Sequence, residues 1–476
     1  MARINTNVAS QIAQQNLTNT TNQEDSTLQR LSTGLRINSG ADDPAGLIAS
    51  ESLKSEIAGI NQAISNSTQA SNVIATADGA LSQVSTLLDN MKSLIVEAAN
   101  TGGVTPDEIN ANQLQIDSAV QSITRISNTT SFAGLNLLNG ALDYITSGVN
   151  TSAISSLDIT QANFGTQPNI PVNVNVVASA KNAQLEFRSG AVTSSVTLDI
   201  SGAEGVDTLT FISGTKASAI VFAINTVSDS TGVQAKLLNA ANAASGLTMY
   251  SSDFGSSAFV SVQAQSGAFA TTDVNGDDKQ RTIGADAVAT INGALAIGSG
   301  RTIKLNTSTL DMSLTLGQNF GAGDTSFTIT GGGALFQLGP SVTSNSQVGF
   351  GIGSVAADHL GDSVDGFLNE IATGGKYSLV AGGAAQASKI VDDAIQQVAN
   401  LRGRLGAFEQ NTLNTNAASL GVTLENVTSS ESTIDDADFA SETANLTREQ
   451  ILQQAGTSVL SQANSIQENV LTLLQH

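Results

Sequence analysis

The stretch from Leu446 to His476, LTREQILQQAGTSVLSQANSIQENVLTLLQH, limits the fold more than any other. Val459, Ala463, Ile466, Val470 and Leu473 follow one another by four, three, four and three residues, the seam of a coiled-coil helix. The rest of that surface is Gln, Asn, Ser and Thr with few charges. A stripe this narrow makes no core alone, so the helix needs a partner.

The first thirty residues offer one. Ile4, Val8 and Ile12 share a helical face, and Leu28 and Leu31 resume it after a polar gap holding only Leu17. Alone, such a segment is marginal in water. Pairing with the C-terminal seam is the expected assembled state.

LSTGLRINSGADDPAG then breaks the pattern, with Asp42 or Asp43 placed to cap a helix that starts at Pro44. Apolar residues run from Leu53 through Ile57, Ile60 and Ile64, and again from Ile74 to Ala98. The three–four alternation fails only around Ser71, Ile74 and Ala77, where a local change of coiled-coil phase is expected. About 55 helical residues give a rod of roughly 80 Å. A second helix starts at Thr105, Pro106 and Glu108, a capping box with Pro in first position, and carries Ile109, Ile116, Val120 and Ile123.

After about residue 140 the period changes to two. Val172, Val174 and Val176 alternate with polar residues, as do Val196, Leu198 and Ile200, Ile303 and Leu305, and Phe327 and Ile329. One helix is expected within this region, at Ala217 to Val227. Pro168, Pro171 and Pro340 flank the β-rich stretch, which reads as a separate domain entered and left by adjacent strands. Past Tyr377 the helical period returns through Ala387, Val391, Ala394, Val398, Leu401, Leu405 and Phe408, and runs on weakly to Val422.

The expected fold class is therefore α + β and multidomain: long antiparallel coiled-coil helices from both termini, with a β-rich inserted outer domain. The expected segments are 1–43, an N-terminal inner helix; 44–168, rod helices and the first β-hairpins; 169–335, the β-rich domain; 336–432, a returning β segment and rod helix; and 433–476, the C-terminal helix.

Composition removes several function classes. With 13% charged residues and a net charge of −22, the chain lacks the cations that nucleic-acid binding requires. Cys is absent, which excludes Cys-ligated metal sites, and His occurs twice, at His359 and His476, with no HExxH, so a zinc-hydrolase centre is unsupported. No GxSxG elbow occurs; SGTK at Ser213–Lys216 lacks Walker spacing, and GGGALFQ from Gly331 reads as a turn. DVNGDDK, Asp273–Lys279, resembles a cation loop but misses the EF-hand pattern and reads as an acidic turn. Neither an enzyme nor a cofactor is expected. MARINTNVASQIAQQ has no apolar h-region and no run reaches membrane-spanning length, so neither a secretory signal peptide nor membrane insertion is expected. Helices this long, with apolar surface that one molecule cannot cover, point to repeated contacts between copies that do not close.

MARINTNVAS and LQRLSTGLRINSGADDPAGL at one end, and LRGRLGAFEQNTLN, IDDADFASETANLTREQILQQAGTSVLSQAN and VLTLL at the other, resemble bacterial flagellin over roughly 1–140 and 378–476. Within the middle, ATINGALAIGSGRTIKL and GTKASAIVFAINTVSDSTGVQAKL look like the short β-rich repeats of flagellins and hook-associated proteins. The resemblance implies an extracellular filament subunit for swimming motility that leaves unfolded through the flagellar type III channel. Its terminal helices would fold on assembly. It also implies a secretion chaperone on the C-terminal helix, with the filament cap and hook-junction proteins as further partners. Gln29–Ser50 resembles the epitope of the plant flagellin-sensing receptor: Arg36, Asp42, Asp43 and Gly46 match, whereas Leu35, Ala41 and Pro44 depart. For vertebrate Toll-like receptor five, Leu94 matches, while Asn90 and Gln115 stand where the family usually has Arg and Glu. Two alternatives stay open: a hook–filament junction protein, and a filament subunit whose outer domain is an adhesin.

Overall fold

The computed structural model describes residues 6–474, without the side chains of Ala243 and of 467 onward. The chain divides into two compact units. One comprises Met1–Thr68, Leu338–Val342 and Thr412–His476; the other, Gln69–Gln337 and Thr343–Asn411. This division cuts across the expected segments 44–168 and 336–432. The helices are α1 (Val8–Thr33), α2 (Pro44–Ala99), α3 (Pro106–Thr129), α4 (Ala217–Thr226), α5 (Ser228–Thr231), α6 (Ala384–Phe408), α7 (Thr415–Asp435) and α8 (Phe439–Leu474).

Helix ends form where the chain supplies caps. Gly34 ends α1 in the left-handed region, φ 76°, and its amide donates to Arg30 O at 2.8 Å. Asp43 caps α2 by accepting from Gly46 N at 2.9 Å. Thr105 and Glu108 close the capping box on α3, with Pro106 in its first turn.

In the second unit the helices pack through long apolar seams. Ile74, Ala77, Leu81, Val84, Leu88, Met91, Ile95 and Ala98 of α2 are buried, as are Ala387, Val391, Ala394, Val398, Leu401, Leu405 and Phe408 of α6. Lys92 pairs with Asp392, and Arg402 Nε donates to Asp78 Oδ1 at 2.8 Å, so the two helices run antiparallel. The expected phase change at Ser71 does not occur. Burial along α2 passes through Ile60, Ala63, Ser67, Ala70 and Ile74, an unbroken three–four alternation. Two small residues and a serine carry the stripe there, which hides it from a count of large apolar side chains. The irregularity lies instead after α6, where Glu409–Asn414 forms a π-helical turn and Glu409 accepts from Ser71 Oγ at 2.5 Å. Val422 is 61% exposed, so the expected run to that residue stops short of it.

The β region, also in the second unit, centres on an eight-stranded antiparallel sheet. Its strands in spatial order are Tyr144–Ser147, Gly323–Gly332, Ile170–Ala178, Val288–Ile291, Ala294–Ser299, Thr302–Asn306, Leu310–Leu316 and Ile154–Ala162. Two of these precede residue 169, so the sheet starts earlier than the expected β-rich segment. Alternate residues such as Val172, Val174, Ile303, Leu305, Met312 and Phe327 fill one face. Pro171 lies inside a strand, opposite Thr328, instead of flanking the β region. It occupies the strand's second position, and its carbonyl accepts from Asn292 Nδ2 at 3.1 Å.

A second β module hangs on this sheet. Lys181 and Ala285 exchange both backbone hydrogen bonds at 2.8 Å, closing the chain on either side of it. Between them lie a three-stranded and a four-stranded antiparallel sheet, with α4 contributing Ala217, Ile220 and Ile224 to their shared core. In the DVNGDDK loop Asp273 accepts from Asn275 N and Asp277 N, and Lys279 Nζ lies 2.7 Å from its other oxygen. Lysine's ammonium occupies the place a cation would need. Its hydrogen bond leads the causes that hold the Asp273 carboxyl down at about 2.

Against α6 sits a tight hairpin, Gly361–Asp362 with Gly366–Phe367, whose Gly361 backbone both donates to and accepts from the Gln397 amide. Carboxylate oxygens of Asp362, Asp365 and Asp393 gather within 4.8 Å of one another. Burial, then repulsion from Asp362, Asp365 and Asp392, raises Asp393 to about 6. A folded-state pKa above the unfolded value means the folded chain binds the proton more tightly, so this site favours folding as pH falls from 7 towards 4. Asp393→Asn should therefore stabilise the chain at pH 7 by about 1 kcal/mol, after allowance for solvent screening, and by nothing near pH 4. Urea unfolding of both proteins at the two pH values checks this; equal gains at both would refute the assignment.

Candidate assembly surface of the terminal helices

The chain's two ends are tied in the first unit by backbone as well as side chains. Leu35 bridges Asp436, Arg36 N donates to Asp435 O at 2.6 Å, and Ala437 N donates to Gly34 O at 2.9 Å. Arg36 also donates through Nε and Nη2 to Ile434 O, the open carbonyl end of α7, where a cation is favoured. Asp435 is buried beneath this tie, and Lys54 Nζ reaches its Oδ2 at 2.5 Å while lying 3.6 Å from Glu431. The hydrogen bond to Asp435 raises the Lys54 ammonium above its ordinary value.

From this tie α1 and α8 run back antiparallel: Arg30 pairs with Glu442 at 3.4 Å, Gly456 faces Leu17, and Asn7 Nδ2 donates to Ala463 O at 3.0 Å. The stripe on α1 turned to its partner is Ala13, Leu17, Thr20, Glu24, Thr27 and Leu31. On α8 it is Glu442, Leu446, Glu449, Gln453, Gly456, Leu460 and Ala463. Both alternate by three and four, yet most of their members are small or polar.

The expected seam residues therefore fall into three groups. Leu31 and Ala463 lie in the pairing stripe. Val8, Ile12, Leu28, Val459 and Ile466 lie outside it; Val8 is 50%, Ile12 55%, Val459 58% and Ile466 54% exposed. Ile4 lies outside the described residues, as do the side chains of Val470 and Leu473. The reason is that α8 carries two adjacent heptad stripes sharing Ala463, and the apolar one is displaced from the pairing one. Glu442, Thr27 and Gly456 were missed because no apolar count registers them. A heptad count through Leu446, Leu460 and Ala463 finds their stripe.

The proposed receptor-contacting residues are not all brought together. Asp42 accepts from Ser39 Oγ, Ser39 N and Asn38 N, and the Ser39 bonds lower its carboxyl below the usual range. Asp43 caps α2, and at Gly46 a Cβ would meet Asp43 Oδ2 at 2.5 Å and Ile37 Cδ1 at 2.6 Å, so a larger residue there would push the capping side chain aside. Leu94 belongs to the second unit, in an open groove of about 400 Å³ with Leu87, Asn90, Met91 and Gln115.

No helix among the described residues is long and apolar enough to cross a membrane. Residues 4–143 match the bacterial flagellin N-terminal helical region, and 388–474 the bacterial flagellin C-terminal helical region. The chain is 30% identical to the flagellin of Salmonella rubislaw over 508 residues, covering 99% of each. It is 29% identical to B-type flagellin of Pseudomonas aeruginosa over 525 residues, again covering 99% of each. Among solved structures it is similar to FliC of Burkholderia pseudomallei, at TM-score 0.25 and 16% identity over 72% of this chain and 99% of that one.

Replacing Lys54 tests the tie. Lys54→Met should lower stability by about 1–2 kcal/mol, screened because the ammonium is half exposed, by leaving the Asp435 carboxylate buried without its cation. Lys54→Met with Asp435→Asn should cost less than the sum of the single changes. Additive losses in urea unfolding would show that the two do not act together.

Proposed function

This chain belongs to the bacterial flagellin family, is a structural subunit of the extracellular flagellar filament that drives swimming, and we propose that its terminal helices are what folds into the growing polymer. The observation that carries this reading is the apolar stripe that the α1–α8 pair leaves uncovered: Val8, Ile12, Leu28, Val459 and Ile466. Each of these half-exposed side chains would contribute about 1 kcal/mol when a neighbouring subunit covers it. Before assembly the pairing stripe alone, with Thr20, Glu24, Glu449 and Gln453 in it, supplies little hydrophobic stabilisation. The ends would then gain their firm structure from neighbours, and the energy of ordering them would be met at the growing tip.

The same stripe on α8 is the surface we assign to a secretion chaperone during export. The filament cap and the hook-junction proteins are the other partners we propose, on the strength of the terminal motifs. The five-segment division would run outward from the filament axis, with 1–43 and 433–476 innermost and 169–335 outermost. For the receptor epitopes, Arg36, Asp42, Asp43 and Gly46 remain the residues we assign to plant sensing. The hydrogen bonds of Arg36 in the tie, and of Asp42, Asp43 and Gly46 within the adjoining turn, favour recognition of a released segment over the folded one. Leu94 would contact Toll-like receptor five with Asn90 and Gln115 beside it, two positions where this chain has no charge. Structural families of this kind supply a surface and no reaction, and we infer no catalytic role.

Truncation tests the proposal. Purified full-length chain should form filaments visible by electron microscopy, and a chain lacking 446–476 should stay monomeric in sedimentation at the same concentration. Filaments from the truncated chain would refute the mechanism.

A further inference from the structure

The two repeat-like stretches of the β region share an Ile-Asn pair, Ile224–Asn225 and Ile291–Asn292, and in both the asparagine amide lies along the edge of a strand. The three-stranded sheet runs in the spatial order Asn182–Phe187, Leu247–Phe254, Val233–Leu237, so Val233–Leu237 is an edge strand. Ser252 N donates to Gly232 O at 2.9 Å, and Leu238 N to Gly246 O at 3.0 Å. Even-numbered residues therefore face the central strand, and Val233, Ala235 and Leu237 turn their backbone groups outward. Asn225 Oδ1 accepts from Ala235 N at 2.8 Å, and its Nδ2 donates to Ala235 O at 3.0 Å. Val233 N donates to Thr231 Oγ1 at 3.2 Å. Ile224 is buried in one core with Val233 and Ala235, which brings the next residue of α4 to the strand's edge.

Asn292 repeats the arrangement on the eight-stranded sheet. Strand Val288–Ile291 pairs with Ile170–Ala178 only as far as Val174, leaving Pro171–Asn173 beyond its end. Asn292 Oδ1 accepts from Asn173 N at 2.8 Å, and its Nδ2 donates to Pro171 O at 3.1 Å. A carboxamide carries one acceptor and one donor side by side, the pair that a neighbouring strand would offer.

An open edge of Val, Ala and Leu is a template for another chain, and a filament gathers many copies of the same edge. We propose that Asn225 and Asn292 seal these edges against strand pairing between neighbouring copies, so that self-association is confined to the terminal helices. The inference rests on the filament reading. The partner excluded is a second copy of this chain. With Ala235 on a two-fold axis, Val233 of one copy falls opposite Leu237 of the other and Gln234 opposite Lys236, so no like charges oppose the pairing. Asn225 is exposed, so it stands at the surface where such a strand would arrive.

The test is sedimentation velocity of the purified full-length chain below the concentration at which filaments form. Asn225→Ala frees both groups of Ala235 and should raise the self-association constant about tenfold. Asn225→Asp also loses the Nδ2 donor but brings two carboxylates together beside the axis, so it should stay at the wild-type value. A merely structural role would cost both variants stability and make neither associate. Circular dichroism shows whether each variant folds, and Asn292→Ala carries the same test at the second edge if Asn225→Ala does not fold. A folded alanine variant that stays as monomeric as wild type, or Asn225→Asp associating as strongly as Asn225→Ala, overturns the seal. The comparison is read on unpolymerised subunits, so a wild-type chain that never forms filaments counts against the filament reading alone.

Discussion

Everything in the helical part depends on sequence-distant segments covering one another's apolar stripes. A helix of 56 residues such as α2 has no core of its own. Its second half acquires one because α6 lies antiparallel to it, with Lys92–Asp392 and Arg402–Asp78 fixing the register along the flanks. Those pairs are partly exposed, so they contribute alignment more than stability. The buried side chains from Ile74 to Ala98 supply the energy.

The two helix pairs in this chain follow the same geometry with opposite chemistry. Between α2 and α6 the buried stripe is wholly apolar, Leu, Ile, Val, Met, Phe and Ala. Between α1 and α8 four leucines share it with Ala, Gly, Thr, Glu and Gln, with an arginine–glutamate pair near the tie. The first kind gains its energy along its length, and the second has a backbone tether at Leu35 and Asp436 beside it. The chain thus has one helix pair whose apolar stripes are covered and one that leaves Val8, Ile12, Val459 and Ile466 exposed.

The difference also explains what could be read in advance. The seams of α2 and α6 were legible because each carries one apolar stripe, and the strands because Val172–Val176 and Ile303–Leu305 alternate cleanly. The spot near Ser71 misled because Ala63, Ser67 and Ala70 carry the stripe without bulk. For the terminal pair the direction was legible but the face was not: Val459 and Ile466 are the conspicuous residues, and the partner takes Gly456 and Leu460 instead. Strand order stayed hidden as well. Nothing local tells Tyr144–Ser147 that its neighbour is Gly323–Gly332, since that pairing spans the whole inserted region.

The reciprocal Lys181–Ala285 bonds have a consequence for what the subunit can become. A module whose first and last residues are held one strand spacing apart, about 5 Å, meets the scaffold at that gap and at a few further contacts, Ser256 with Asp286 and Phe254 with Arg301. Its core of Leu185, Leu198, Ile220 and Met249 is separate from that of the eight-stranded sheet. Changes of length elsewhere between those two residues, away from the Phe254–Ser256 turn, leave the sheet's own ladder intact. The module can therefore vary while the eight-stranded sheet that carries it stays the same.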